Sequence, residues 1–447
     1  MYLTRAKPCA SCLVPKGVTI DRTSNSRIAA ASEKGGDRVA AASVIAGHAL
    51  HHAYDHGLYV ILPVLYTELG LTPVAAGLMD TVRRVSSGAA AIGGGLLVDQ
   101  LQHRRILILC VSMVTMGLGY LIMGLVPAYL VILVALGLVG ISHQSLWHPS
   151  ALSLLSQRYP ERRGFMMSVH RSSGNLGDTL GSLAVGALML VLAWQGILLA
   201  AFPLTLGVAL LLWLVIRRAP GWEEFQTRSR TPRHVGEQLR SLRELLRNRG
   251  LLLLFLLASV SGLGQGGFQL WLPIYLQETQ GMGSFGIGLH MALLTTMGIA
   301  TGPFVGALSD RFTRKPIIVM LLAGKAIVAT LMGLSGGGLM LTIFVGLMGA
   351  FMFGGHAVID AGALDLGEGR RLEGSLIGLL WGNNALFLGF APLIVGLLMT
   401  SFGYSTLFWY MAAMNGLASL VALMLPAIGR SSASSQVSAV SRANDVQ

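Results

Sequence analysis

Residues able to bind or carry protons are concentrated on one face of a single helical stretch. His48, His51, His52 and Asp55 fall within an arc of about 100° when the sequence is wound as an α-helix, and Tyr59 lies inside the same arc. Imidazole titrates near neutral pH and can exchange protons with a neighbouring carboxylate. The pattern predicts a proton-coupling site in which Asp55 carries the proton and His51 and His52 relay it.

A metal site is the alternative chemistry for this face, since imidazole and carboxylate groups bind divalent transition metals. The candidate ligands would be His48, His51, His52, Asp55 and His56. A purely structural ion pair of Asp55 is the third interpretation. We take proton coupling as the primary prediction and assign no metal ligand.

A second polar stripe combines a cation, an amide and a carboxylate. Arg171, Asn175 and Asp178 stand at positions i, i+4 and i+7, within about 60° of one another on a helix. Beside them runs a stripe of small residues that permits close helix packing, namely Gly174, Gly177 and Gly181. Arg171 could clamp an anion, pair with Asp55 or Asp178, or extend its head towards the membrane surface. We expect Arg171 and Asn175 to contact substrate.

The second half of the chain carries few charges at depth, so it is expected to supply shape, aromatic contact and amide hydrogen bonds. Four further substrate contacts are predicted in the whole chain, at His148, Gln269, Trp381 and Asn384. Lys325 has no obvious partner in the sequence.

Two other local features have simple structural interpretations. Asp80 and Arg84 are spaced for a favourable i,i+4 ion pair. Trp271 and Trp409 are expected to anchor the protein at the membrane interface.

The composition places these residues in a membrane protein. Of 447 residues, 53% are hydrophobic and only 12% are charged, about half the charged fraction of a typical soluble domain. A spanning helix needs about 20 apolar residues. The apolar runs predict twelve helices, at 41–67, 73–97, 106–126, 128–157, 165–192, 195–216, 251–277, 284–308, 316–335, 339–364, 374–400 and 403–427. The predicted fold class is all-α, a polytopic membrane protein with twelve transmembrane helices.

The distribution of positive charge predicts the topology. Of the 32 Lys and Arg residues, 28 lie in the two tails and in every second connection, and the other connections contain none. By the positive-inside rule both termini are cytoplasmic, in the inner membrane of the cell. This split also accounts for the net charge of +12 without a nucleic-acid partner. The predicted organisation is a tail at 1–40, a bundle at 41–217, a basic linker at 218–250, a bundle at 251–428 and a tail at 429–447.

The sequence contains few motifs of enzymatic or metal-binding chemistry. The chain has no Walker loop, no H-E-x-x-H motif and no nucleophile elbow, so we expect neither an enzyme nor a cofactor. Cys9 and Cys12 form a lone CxxC without the second pair that a zinc site needs.

The two halves of the sequence repeat each other. Leu62-Pro63 returns as Leu272-Pro273 at an offset of 210, and Gly77-Leu78 returns as Gly288-Leu289 at an offset of 211. Ordered matches at a nearly constant offset indicate duplication. Because each half holds an even number of predicted helices, the two repeats have the same orientation in the membrane.

The loop after the second helix of each half resembles the signature of the major facilitator superfamily, which is glycine, three residues, aspartate and then basic residues. The two copies are GLLVDQLQHRR from Gly95 and GALSDRFTRK from Gly306. This resemblance implies two pseudo-symmetric six-helix bundles that rock about a midplane site. It also implies a cytoplasmic gate built from Gly95, Asp99, Arg104, Gly306, Asp310, Arg311 and Arg314.

Within that superfamily, three segments resemble the fosmidomycin-resistance branch of drug exporters. They are His51-His52-Ala53-Tyr54-Asp55, Trp147-His148-Pro149, and Arg163-Gly164 followed by Gly174-Asn175-Leu176-Gly177. Arg171 stands where that branch commonly has a polar amide.

These observations predict a secondary active transporter that exports a small amphiphilic or anionic compound in exchange for protons. The expected partners are the lipid bilayer, the substrate and protons, and the expected state is a monomer. The alternatives are a divalent-metal transporter that uses the His/Asp face, and a non-transporting membrane sensor or assembly factor with the same fold.

Overall fold

The computed structural model describes residues 22–101, 104–159, 162–218, 247–366 and 373–428, and its secondary structure is helical throughout them. Twelve long helical segments cross this part of the chain. They are α1 (Arg22–Glu68), α2 (Pro73–Gln100), α3 (Arg105–Leu125), α4 (Tyr129–Ile141, continued by a π-helical turn Ser142–Trp147 and by His148–Arg158), α5 (Arg163–Leu188), α6 (Trp194–Arg218), α7 (Arg249–Glu278), α8 (Ser284–Phe312), α9 (Arg314–Ser335), α10 (Gly338–Leu366), α11 (Glu373–Phe402) and α12 (Thr406–Leu423).

These helices match the predicted ones to within four residues at each end, with one exception. Helix α1 begins at Arg22, whereas hydropathy places its start at residue 41. The prediction was wrong there because residues 22–40 are polar and alanine-rich. Such a segment can be helical without producing any apolar run.

Hydropathy differs sharply between the two halves. Among the described residues, eight helices are long and apolar enough to span a membrane, and they are α3, α6 and all six helices from α7 to α12. The helices α1, α2 and α5 carry most of the histidines and buried charges of the first half, and α4 carries His148 and is interrupted at its π-helical turn. In the first half, the helices that fail the simple hydropathy criterion are therefore those that carry most of the polar side chains.

Each half packs as a bundle, and the bundles meet along two helix pairs. Helix α1 packs on α5 and α3 on α6 in the first bundle, while α7 packs on α11 and α9 on α12 in the second. Between the bundles, α2 packs on α11 and α5 packs on α8. The two interface pairs are equivalent under the sequence repeat.

A repeated glycine explains how the bundles approach so closely. A Cβ at Gly77 in α2 would lie 2.5 Å from the Pro392 carbonyl oxygen in α11. Its repeat partner Gly288 in α8 would place a Cβ 2.6 Å from the Ser182 carbonyl oxygen in α5. Real Cβ atoms do not come this close to backbone, so glycine is required at both crossings.

The bundles are joined near the ends that carry the short connections 69–72, 279–283 and 403–405. There the hydroxyls of Tyr66 and Tyr404 lie 2.9 Å apart, and the Gln277 amide donates to the Pro63 carbonyl at 3.1 Å. We call this the closed end of the molecule. Towards the opposite end, the Arg171 side chain is 50% exposed, so the cleft between the bundles is open on that side.

Trp271 belongs to this closed end and corrects one prediction. It is fully buried, and its indole N–H donates to the Pro392 carbonyl at 2.9 Å. It therefore joins α7 to α11 and does not anchor the protein in lipid headgroups. Trp409, in contrast, is 44% exposed, as an interfacial anchor requires.

Candidate functional site

The centre of the first bundle holds a network of two carboxylates and two guanidinium groups. Arg83 donates to Asp80 through Nε at 2.9 Å and also contacts Asp55. Arg84 donates to the other oxygen of Asp80 at 2.7 Å, which is the i,i+4 pair expected from the sequence. Both guanidinium groups also contact the Tyr59 hydroxyl. Asp55 is thus paired with Arg83, and the pairing with Arg171 considered above does not form.

This network reaches across to the second bundle. A second nitrogen of Arg84 donates to the Gln269 side-chain oxygen in α7 at 2.8 Å. Gln269 was predicted as a substrate contact, and in this state it is held by Arg84. A change in the charge of the first bundle can therefore act directly on a contact between bundles.

A second buried carboxylate, Asp178 in α5, binds two histidines of α1. His52 Nδ1 lies 2.7 Å and His56 Nε2 lies 3.3 Å from the same Asp178 oxygen. The next residue, Thr179, lies with its hydroxyl 2.8 Å from that of Thr295 in α8. Asp178 was expected only as a member of a polar stripe, and the structure identifies it as the partner of His52.

His51 faces away from this group. It is fully buried, and its Nε2 lies 3.1 Å from the Ser112 hydroxyl in α3. Because that hydroxyl donates to the Ser142 carbonyl at 2.7 Å, it accepts a hydrogen bond from His51. His51 therefore lies behind Asp55 and His52 and contacts the bundle interior.

Three imidazoles come close enough to hold a metal ion. The ligand atoms of His48, His52 and His148 all lie within 4.8 Å of one another. His48 is further held by a 2.7 Å contact from Nδ1 to the His170 carbonyl. His148, predicted as a substrate contact, thus joins the histidines of α1 in the first bundle. It directly follows the π-helical turn of α4, and such turns occur frequently at functional sites.

The glycine stripe of α5 brings these groups together. At Gly174 an added Cβ would meet His48 Cε1 at 2.7 Å and His52 Nε2 at 2.9 Å. At Gly177 and Gly181 it would collide with backbone carbonyl oxygens of α1. Larger residues at these positions would push α5 away from α1 and separate Asp178 from His52.

Arg171 forms a contact between bundles. Its guanidinium lies 3.3 Å from Asp360 in α10 and 5.5 Å from the centre of the Trp381 ring in α11. The Trp381 indole N–H donates to the same carboxylate at 3.0 Å. Neither Asp55 nor Asp178 pairs with Arg171, because both are held by closer partners inside the first bundle. Asn175, one turn further along α5, is half-buried.

A buried lysine is the main group whose role the sequence left unexplained. Lys325 in α9 is 4% exposed, and its ammonium donates to the Ser261 hydroxyl in α7 at 2.7 Å. Asn384, a predicted substrate contact, lies near it around the same cavity. An isolated cation in an apolar helix is the signal that could have marked this site.

The predicted gate is only partly within the described structure. Gly95 lies in α2, but its surroundings and the side chains of Asp99 and Asp310 lie outside what the structure describes, as do Cys9, Cys12, the linker residues 219–246 and the tail 429–447. Arg314 donates to Asp365 at 3.2 Å and to the Ser309 hydroxyl at 2.7 Å. Arg104 is exposed, Arg311 lies 5.5 Å from the Phe312 ring centre, and Gly306 faces open space.

The sequence matches the family model of the Major Facilitator Superfamily over residues 44–380, which is about three quarters of the chain. The chain belongs to this superfamily. Its twelve helical segments and two packed bundles are the architecture that this membership implies.

Relatives of this superfamily member include transporters with different cargoes. It is 23% identical to a probable sulfoacetate transporter of Cupriavidus necator, over 66% of each chain. It is 24% identical to the inner membrane transport protein YnfM of Escherichia coli, over 58% of this chain and 60% of that one. It is 29% identical to the class H tetracycline resistance protein of Pasteurella multocida, over 34% of this chain and 38% of that one. The matches thus span about two thirds of these relatives or less.

Solved structures of similar fold support the same architecture. A bacterial homolog of the human lysosomal transporter Spinster, in an inward-facing and unoccupied conformation, aligns with a TM-score of 0.71. The two chains are 15% identical, and the alignment covers 87% of this chain and 97% of that one. The nucleoside transporter NupG, as its D323A mutant, aligns with a TM-score of 0.70 at 9% identity, over 86% of this chain and 99% of that one.

Proposed function

We propose that this superfamily transporter exports a small anionic or amphiphilic compound in exchange for protons. The observation that carries the proposal is the placement of two carboxylates, the buried Asp178 and the half-buried Asp55, next to contacts between bundles. Asp178 immediately precedes Thr179, which meets Thr295 of the other bundle. The partner of Asp55 is Arg83, and the adjacent Arg84 donates to Gln269 of the other bundle.

Proton binding at these carboxylates would change the balance of charge at both interfaces. A proton on Asp55 removes the negative charge that Arg83 contacts, and a proton on Asp178 removes the partner of His52 and His56. Arg83, the partner of Asp55, lies in α2, and Asp178 lies in α5, and both of these helices form the bundle interface. Alternating access then follows from rocking of the two bundles about the closed-end contacts. His51 takes the position of a rear relay in this proposal.

The anionic substrate class is supported by the cations that face the cleft. Arg171 is half exposed at the open end, where an arriving anion would compete with Asp360 for its guanidinium. Trp381 offers an aromatic surface beside it. The related sulfoacetate transporter suggests an organic sulfonate as the first compound to test.

The remaining assignments also belong to this proposal. We place the protein in the inner membrane with both termini in the cytoplasm, on the split of positive charge between alternate connections. The open end of the cleft then faces the cytoplasm. The motifs His51-His52-Ala53-Tyr54-Asp55 and Trp147-His148-Pro149 favour the fosmidomycin-resistance branch of exporters. We propose a monomer as the transporting unit, with Asp99, Asp310 and their neighbouring cations as the cytoplasmic gate.

The decisive experiment measures sulfoacetate flux in proteoliposomes with and without an imposed pH gradient. Asp55→Asn and Asp178→Asn keep the side-chain shape but cannot carry a proton at that position. We expect each to reduce gradient-driven accumulation at least about tenfold while exchange of labelled for unlabelled substrate persists. Glu278→Gln, at the end of α7, serves as the control. Gradient-driven accumulation undiminished in both variants would refute the proton-coupling sites.

Transport of a divalent metal is the second candidate function, because His48, His52 and His148 converge. In that case His52 would bind the metal ion and would not take part in proton coupling. Saturable uptake of Zn²⁺ or Ni²⁺ that is lost in His52→Gln and His148→Gln, but kept in the control His290→Gln of the second bundle, would favour it. Absence of flux for anions and metals alike would favour a non-transporting sensor.

A further inference from the structure

A small, partly open cavity lies inside the second bundle, between α7, α9, α10 and α11. Its volume is about 40 Å³, room for a few water-sized groups. Its polar lining consists of Ser261, Gln265, Lys325, Asp360, Trp381 and Asn384. Two of these lining residues, Asp360 and Trp381, also contact Arg171 of the other bundle, and we call this side the mouth of the cavity.

The charge in this cavity comes from a lysine whose near partner is neutral. The Ser261 hydroxyl donates to the Asn415 side-chain oxygen at 3.1 Å, so its oxygen accepts from the Lys325 ammonium. Within the described structure, no carboxylate lies within 4.0 Å of this ammonium. An ammonium has three donors, and burial without a counter-charge is expensive at membrane depth. An anion arriving from outside the cavity would supply the counter-charge that no described carboxylate supplies at contact distance.

Asp360 lines the same cavity but is turned towards its mouth. There its carboxylate accepts from the Trp381 indole at 3.0 Å and from Arg171 at 3.3 Å. The nearest carboxylate is thus engaged with a cation of the other bundle. An incoming anion can approach Lys325 without having to displace an ion pair inside the cavity.

A buried amide completes the lining. The Asn384 side-chain oxygen has no hydrogen-bond partner among the described residues, although water does not reach it. It is set against Gly262, where any side chain would collide with it. An amide can present either its oxygen or its NH₂ group, so it can bind an anionic head group or a hydroxyl beside it.

We propose that this cavity binds the anionic head group of the transported compound, a sulfonate or carboxylate, with the Lys325 ammonium as its counter-charge. The inference rests on the proposed function and deepens it by assigning the head-group subsite. The volume admits the charged group alone, so the rest of the compound extends past Trp381 into the cleft. Arg171 then acts at the entrance, and Lys325 acts at the end of the path.

The test measures binding without transport, on full-length protein in lipid nanodiscs. The probes are methanesulfonate, acetate and dimethyl sulfone, which is a neutral molecule of the same shape as methanesulfonate. We expect the two anions to bind at least tenfold more tightly than dimethyl sulfone by calorimetry. Lys325→Gln should remove that preference, while Lys315→Gln near the start of the same helix should leave it unchanged. Equal binding of methanesulfonate by wild type and Lys325→Gln would overturn the subsite.

A second measurement guards against misfolding of Lys325→Gln. In a variant with Asn384→Cys as its sole cysteine, a negatively charged methanethiosulfonate reagent should react at least tenfold faster than a positively charged one. Methanesulfonate should slow that reaction. The reverse preference would overturn the proposal. These outcomes differ from failure of the proposed function, in which anions bind at Lys325 but no anion is transported.

Discussion

The two bundles share their packing and differ in their chemistry. The repeat offsets of 210 and 211 pair the five residues of the charge network in α1 and α2 with positions in α7 and α8. The pairs are Asp55 with Gln265, Tyr59 with Gln269, Asp80 with Met291, Arg83 with Leu294 and Arg84 with Thr295. A charge network in the first bundle is thus replaced by amides and apolar groups in the second. The crossing geometry is thus shared, whereas the second bundle has no counterpart of this charge network at these positions and carries its charges elsewhere, at Lys325 and Asp360.

The difference suggests a division of labour between the bundles. In the first bundle, the charges of Arg83 and Arg84 are balanced by those of Asp55 and Asp80. Binding of one proton would therefore change the net charge of a network that is otherwise neutral. In the second, Lys325 is buried against a neutral hydroxyl, so it can attract a charge from outside. In our proposal, coupling belongs to the first bundle and head-group binding to the second.

The largest expected effect is a difference in stability between two variants, each of which removes a buried cation from one bundle. Arg83→Met leaves Asp55 without its guanidinium partner and weakens the support of Asp80, and should lower the free energy of unfolding by about 3–5 kcal/mol. Lys325→Met strands no carboxylate and should change it by less than about 1 kcal/mol. Denaturant unfolding in detergent measures both. Adding Asp55→Asn to Arg83→Met should recover part of the loss, and equal losses in the two single variants would break the comparison.

The second prediction tests whether the two bundles depend equally on close helix packing at glycine. A side chain at Gly177 would collide with the Ala49 carbonyl of α1, and one at Gly266 in α7 would collide with the Leu388 carbonyl of α11. Gly177→Ala and Gly266→Ala should each destabilise the protein by about 1–3 kcal/mol. Gly207→Ala is the control, because nothing lies within 4 Å of its added Cβ. Thermal unfolding of the three variants should separate the first two from the third.

The smallest change in stability is expected where the two bundles meet in the cleft. The Arg171–Asp360 pair is half exposed on the arginine side, so Arg171→Gln should cost no more than about 1 kcal/mol. The same variant should weaken sulfoacetate affinity about tenfold, and Arg171→Lys should weaken it less, because Lys keeps the charge and loses the planar fork. Binding and melting curves of both variants, alongside Asp360→Asn, measure this. A large loss of stability with normal affinity would make Arg171 a structural ion pair.

The sequence alone predicted most of the fold because membrane helices are recognisable from their apolar composition. Apolar runs located eleven of the twelve helices at both ends, and the repeat of Gly77 as Gly288 identified the duplicated halves. The start of α1 was missed because a polar helix leaves no hydropathy signal. Helical spacing also found the Asp80–Arg84 pair, since residues four apart lie on one face.

Partners between helices were beyond the reach of the sequence. Helical periodicity shows that His52 and Asp178 each lie on a polar face, but it does not give the rotation or depth at which α1 meets α5. Those are set by the backbone contacts at Gly177 and Gly181. For the same reason Arg171 has Asp360 as its partner, and Lys325 has Ser261. Composition and periodicity determined which residues face inward, and only the packing of the two bundles decided which of them meet.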